Sequence, residues 1–254
     1  MTFQSVFKKQ YFPVIIGTVC LCVSAALHAQ DAVPAVNPSR PSITNSPDIG
    51  TPGVLEINLG ATADNDNYSS SFWSTPLLIK FTLSENFEAR VGTNGLGFCR
   101  DATPAGLSNG TVWLQWVPHT FSPEEIHWAV AVGADASVIA PSSWNYVGNF
   151  AIAKNIGNYI FQSNLNLGVA GSVDDSPMTY SGTFLFSYIL GHWSPFVDVC
   201  YSSQTGIDAS HQVYLMGGTG LSVSPQVVLD VAVEREFQNE TTTVLLGCSF
   251  VVFH

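Results

Sequence analysis

Charged side chains are scarce in this chain, so those set inside alternating apolar runs carry the chemical argument. Glu88 and Arg90 stand two apart, hence on one face of an extended segment, and Lys80 belongs to the neighbouring run across a short turn. A cluster of this kind on one face of a β-wall performs no bond chemistry. It either sets the potential of a water-filled passage or pairs across a closed interior. The same parity gathers a wider polar set: Glu56, Asn58, Gln115, His127, Asp135, Asn149, Gln162, Asn164, Asn166, Asp198, Gln212, Asp230 and Glu234. Acids outnumber bases there, which in an open pore favours cations or neutral solutes over anions. The candidate lumen and constriction residues are therefore Lys80, Glu88, Arg90, Glu56, Asp135, Asp198, Asp230 and Glu234, with Glu88, Arg90 and Lys80 as the constriction cluster.

Other chemistries find less support. A hydrolase acting on lipid needs a Ser and a His side by side and oriented by a third group. His127, His211 and the many serines supply the types without a spacing that selects a pair, so no catalytic residue is assigned. Asp64-Asn65-Asp66-Asn67 opens like a calcium loop but lacks the sixth-position Gly and the distal Glu, and reads instead as a solvated loop. Cys99, Cys200 and Cys248 follow the leader at wide spacing, with neither a disulfide framework nor a metal-site pattern. The sequence calls for no metal and no cofactor.

Composition bounds the class. Of the 254 residues, 46% are hydrophobic and only 11% charged, well below the roughly 25% charged content of a soluble domain. The formal charge of -11 includes Lys8 and Lys9 of the leader, so the remainder is more acidic still. Nucleic acid is an unsuitable partner for such a chain. An aromatic content of 12% suits a protein that needs anchors at a lipid interface.

The chain divides into three stretches. Residues 1–29 read as a signal peptide: Lys8 and Lys9 form a basic start, Tyr11 to Leu27 an apolar core, and Leu27-His28-Ala29 a cleavage site. Residues 30–52 are rich in Pro, Asn, Ser and Asp without hydrophobic period and read as a periplasmic linker. The sequence leaves open whether that stretch fills a lumen or hangs free.

From residue 53 to residue 254 the period is two. Leu55, Ile57, Leu59 and Ala61 alternate with Glu56, Asn58 and Gly60, and runs of this kind recur through Thr242 to Phe253. In that last run parity alone does not say which face meets lipid. Short connections, such as Ser84-Glu85-Asn86, alternate with longer ones rich in Gly, Ser, Asn, Asp and Pro. The expectation is an all-β antiparallel transmembrane β-barrel of about 12 strands of the outer-membrane type. A two-sheet soluble sandwich is the competing architecture, but its water-facing sides should carry far more charge. Trp113, Trp116, Trp128, Trp144, Trp193 and Tyr201 fall mainly near strand ends, as interfacial girdles do, and only Trp113 and Phe196 take lumen parity among the rings considered.

The opening TPGVLEINLGA, followed by STPLLIKFTLSENFEARVG, resembles the start of the family named for a putative role in the meta-pathway of phenol degradation. The resemblance continues more thinly through Asn164 to Gly168 and the run holding Asp198, and departs at the terminus, Val252-Phe253-His254, where an aromatic residue is usual. It implies an outer-membrane transport barrel passing small, aromatic or hydrophobic compounds. The expected partners are outer-membrane lipid and a small-molecule solute, and the expected function is passive uptake, with no enzymatic activity. The competing function is an occluded barrel with a structural, adhesive or lipid-contacting role.

Overall fold

The computed structural model describes residues 34–39, 42–65, 71–93, 95, 97–99, 109–119, 121–122, 124–137, 144–171, 177–205 and 209–253. The expected leader lies outside these residues, as does part of the Asp64 to Asn67 run. The described strands are β1 (Leu55–Asn65), β2 (Ser71–Ser74), β3 (Leu77–Ser84), β4 (Phe87–Thr93), β5 (Gly97–Cys99), β6 (Asn109–Trp116), β7 (Ile126–Ser137), β8 (Trp144–Ile156), β9 (Tyr159–Ala170), β10 (Met178–Tyr188), β11 (Trp193–Gln204), β12 (Ser210–Ser224), β13 (Val227–Glu236) and β14 (Thr242–Phe253).

Alternation decides why these segments become strands and which way each side chain points. Along β11, Trp193, Val197, Val199 and Tyr201 are exposed while Phe196, Asp198 and Cys200 are buried, the period-two signature of a wall with two different faces. Each strand is antiparallel to its neighbour, and β14 returns to pair with β1 from Leu55↔Phe253 to Asn65↔Thr242. The sheet is thus one closed ring, not a two-layer sandwich, and closure leaves no edge unpaired along that seam.

Two of the described strands are continuations of others. β2 and β3 are one barrel strand broken at Thr75-Pro76, and β4 and β5 are one broken after Thr93; β1 pairs with β3 in its first half and with β2 in its second. Counted in this way the wall has twelve strands. Proline has no N–H for the ladder, so the strand gives way there. The ladder resumes because Gly60 donates to the Pro76 carbonyl at 2.8 Å.

Connections are tight at one end of the barrel. Glu85-Asn86, Gly157-Asn158, Gly191-His192 and Pro225-Gln226 each turn in two residues, with Gly157 (φ 58°) and Gly191 (φ 61°) in the left-handed region that suits glycine. At the other end the strands run further than their apolar pattern indicates. β8 begins at Trp144 and not near Val147, and β2 and β5 lie in stretches expected to be loop. Beyond the hydrocarbon the outer face need not be apolar, so period two fades from the sequence while hydrogen bonding continues. β12 also passes the expected end at Gly218, running through a glycine-rich stretch to Ser224 with a bulge between Ser222 and Ser224.

The outer face separates into bands. Val130, Val132, Phe150, Ile152, Leu165, Leu167, Phe184, Val197 and Val199 form a central apolar belt. Trp116, Tyr159 and Trp193 flank it toward the turns, and Trp144, Tyr146, Tyr180 and Tyr201 toward the long loops. Aromatic rings in two such girdles mark the interfaces of a bilayer. The ambiguity of the last strand resolves here: Val244, Leu246 and Val252 are exposed to the outside, while Ser249, bonded to Asn58, points inward.

Candidate solute passage and its plug

All the polar residues selected by parity lie on the inner face, each buried or half-buried. At the turn end of the bore, Lys80 Nζ pairs with Glu56 Oε1 at 2.9 Å and Arg90 Nε with Glu88 Oε1 at 2.8 Å. The four residues come from β1, β3 and β4, with Glu56 opposite Lys80 and Lys80 opposite Arg90 in the ladder. Pairing satisfies both cations of the cluster, which is what a charge removed from bulk water demands.

The partner that fills the space between these walls is the Pro-rich stretch. Of the two positions that the sequence leaves open for this stretch, residues 34–39 and 42–52 take the inner one, in the turn-end half of the bore. Val36 N–H donates to the Pro225 carbonyl in a turn, Asn37 N–H to Glu56 at 2.8 Å, and Ser39 N–H to Asn58 at 3.2 Å. Lys80 also donates to the Asn37 carbonyl. Across the bore Asn45 and Asn164 exchange hydrogen bonds, and Gln115 donates to the carbonyls of Ser46 and Pro47. Asp48 meets His127 Nδ1 at 2.6 Å, and the return leg bonds Gly50 N–H to Glu88 at 3.0 Å before Gly53 N–H reaches Thr82. An irregular chain has no ladder for its backbone groups, so burying it requires side-chain partners of this sort.

Two contacts pin the plug most firmly. Asp198, fully buried on β11, accepts from Ser42 Oγ (2.8 Å), Ile43 N–H (2.8 Å), Thr44 N–H (2.9 Å) and Thr44 Oγ1 (2.7 Å). His127 is held from both sides, its Nδ1 against Asp48 and its Nε2 at 3.0 Å from the Ser122 carbonyl. Phe121 stacks on that ring with centroids 5.1 Å apart.

The remaining candidates sit differently. Asp230 is buried beside Gly247, where an added Cβ would lie 2.3 Å from Asp230 Oδ1. Asp135 and Glu234 lie nearer the long loops, where Asn145 donates to Asp135 at 3.0 Å. Asp64 and Glu236, both in the field of the Glu234 carboxylate, enlarge this acidic vestibule. Sequence reasoning missed those two, although each continues the inward parity of its strand. It also missed the apolar row on the inner wall that Phe196 joins, made with Leu185, Met216 and Ala232 and extended by Leu245. Among the described residues Cys200 and Cys248 form no disulfide with each other, the first having the parity of the bore and the second that of the outer face.

A closed wall with a polar bore, outward apolar belt and aromatic girdles defines the porin class of fold. Among solved structures, the chain is similar to an outer membrane channel from Pseudomonas putida F1, with a TM-score of 0.62 at 9% identity, over 89% of this chain and 100% of that one. It is also similar to the NanC porin (TM-score 0.60, 7% identity, 76% of this chain and 98% of that one). The KdgM porin, solved in complex with disordered oligogalacturonate, aligns with a TM-score of 0.55 at 12% identity over 78% of this chain and 99% of its own. No protein-family model matches the sequence, and no curated protein matches it either.

Proposed function

We propose that the protein is an outer-membrane channel for passive uptake of small solutes, held closed at rest by residues 34–52. The observation that carries this reading is the division of the bore. Its loop-end half is a polar vestibule lined by Asp64, Asp135, Asn149, Asn166 and Glu234, while its turn-end half is filled by a segment attached through side-chain hydrogen bonds and not through a ladder. A wall strand is held by continuous pairing with two neighbours; the plug is held at separate points, and so is the part free to leave. Transport needs no cofactor or energy coupling in this scheme, only diffusion selected by width and lining charge. The likeness to porins supports the barrel type, and the family resemblance of the opening strands supports small apolar or aromatic solutes. The short turns then lie in the periplasm and the long loops outside the cell. The occluded-barrel reading draws on the same plug and differs only in its permanence.

Single-channel recording of the refolded protein in a planar bilayer separates the two. Charge-assisted hydrogen bonds contribute about 1.5–3 kcal/mol each. The double variant Ser42→Ala/Thr44→Val, which removes two hydroxyl donors from Asp198, is therefore expected to raise the open fraction at least tenfold over wild type. A folded, heat-modifiable barrel that stays silent in both forms would overturn the channel and leave an occluded barrel.

A further inference from the structure

The contact between plug and wall at Asp198 has the composition of a binding site occupied by an intramolecular ligand. Asp198 is framed on the two neighbouring strands by apolar residues, with Leu185 opposite it on β10 and Met216 on β12. Phe196, Ala232 and Leu245 continue the apolar surface across β11, β13 and β14. Gly218 makes room for the Phe196 ring, since a Cβ there would lie 2.8 Å from Phe196 Cε1. Other inward positions are apolar too, among them Ala129, Ala151, Val228 and Trp113, but here five apolar side chains gather around one carboxylate, an arrangement that barrel closure does not require.

What occupies this patch is equally specific. Ile43 packs on the apolar row, and the backbone and hydroxyl donors on either side of it converge on the Asp198 carboxylate. The occupant is thus a short hydrocarbon body joined to a dense group of hydrogen-bond donors. Among the described residues no ion pair involves Asp198, because Lys80 and Arg90 are committed to Glu56 and Glu88. The negative charge is solvated by neutral donors alone. A second polar group points the same way: the Thr183 hydroxyl, on the inner face of β10 one inward step from Leu185 and 5% exposed, has no hydrogen-bond partner among the described residues.

We infer that Asp198 with the Leu185, Phe196, Met216, Ala232 and Leu245 surface is a solute subsite for small apolar primary amines, which compete with Ser42-Ile43-Thr44 for it. An ammonium group brings three N–H donors and the positive charge that the neutral donors of the plug lack, and a phenyl or short alkyl body replaces Ile43 on the apolar row. The acidic vestibule of Asp64, Asp135, Glu234 and Glu236 lies toward the loop end and concentrates cations ahead of the subsite. This inference rests on the channel reading for its route of access, but binding itself does not depend on conduction.

The test is calorimetric titration of the refolded full-length protein in detergent with 2-phenylethylamine and, as a body-matched control of opposite charge, phenylacetate. Wild type is expected to bind the amine weakly. Ser42→Ala/Thr44→Val, with its plug loosened and its wall intact, is expected to bind it at least tenfold more tightly, and neither form to bind phenylacetate. Adding Asp198→Asn to that variant is expected to cost at least tenfold in amine affinity; Phe196→Ala, which keeps the carboxylate, is expected to weaken the amine through its body and serves if the first change prevents folding. Absence of amine binding in every form, equal binding of phenylacetate, or amine binding indifferent to both wall substitutions would overturn the subsite. Amine binding as expected in a barrel that never conducts would uphold the subsite and overturn the channel, whereas conduction without amine binding would do the reverse.

Discussion

Lys80 reaches two partners at once, the Glu56 carboxylate at 2.9 Å and the Asn37 carbonyl, and is itself 2% exposed. Removing one member of a buried ion pair strands the other, at a cost of about 3–5 kcal/mol. Lys80→Met is therefore expected to lower the midpoint of urea unfolding, read by loss of heat-modifiability on a gel, while Lys80→Met/Glu56→Gln should recover most of the loss. A double variant as unstable as the single one would show that Lys80 acts through the plug and not through Glu56. Trp113 offers a second residue-scale case. Its indole covers Gly133 so closely that an added Cβ would lie 2.4 Å from Trp113 Cδ2. Gly133→Val is expected to displace the ring from the wall into the bore, with a red-shifted indole emission as the readout.

At the scale of the element, the break between β2 and β3 depends on more than Pro76. Gly95 has φ +77°, and a Cβ there would lie 1.8 Å from the Thr75 carbonyl oxygen. Steric conflict and a strained backbone coincide, and the backbone part alone costs about 1–3 kcal/mol. Gly95→Ala is expected to unpin the loop-end extension formed by β2 and β5, seen as new protease cleavage near residues 71–74 with the remaining barrel intact. This extension also shows where reading the sequence stops. All twelve barrel strands are legible as alternating runs because lipid on one side and water on the other impose two different faces. β2 and β5 stand beyond that contrast, in stretches whose composition is that of loops. The polar wall was readable for the same reason as the strands, since Glu56, Lys80, Glu88, Arg90 and Asp198 interrupt apolar alternation. The plug was not: its partners Asp198 and Asn164 lie more than 100 residues away in the chain, with separations of 154 and 119 positions, and nothing periodic announces them.

For the molecule as a whole, the distribution of charge along the bore is uneven. The bases sit at the turn end, each in a pair, and the acids Asp64, Asp135, Glu234 and Glu236 gather toward the loops. A pore whose entry is negative prefers cations, through the local potential it imposes on passing ions. Under a salt gradient the reversal potential of the Ser42→Ala/Thr44→Val channel is expected to show potassium preferred over chloride by several-fold. Replacing the four acids by their amides should bring that preference close to unity. A preference that survives the replacement would move the selecting charges elsewhere. The path of the plug has a further consequence. Val36 lies at the Pro225 turn and Gly53 at Thr82, so the two described ends of the segment lie at the same mouth. It lies in the bore as a bight of rope lies in a tube, not as a cord threaded through it. Such a bight can be drawn out and pushed back without passing a free end through the ring and without opening the seam between β1 and β14, so that release and return are topologically the same motion run in opposite directions.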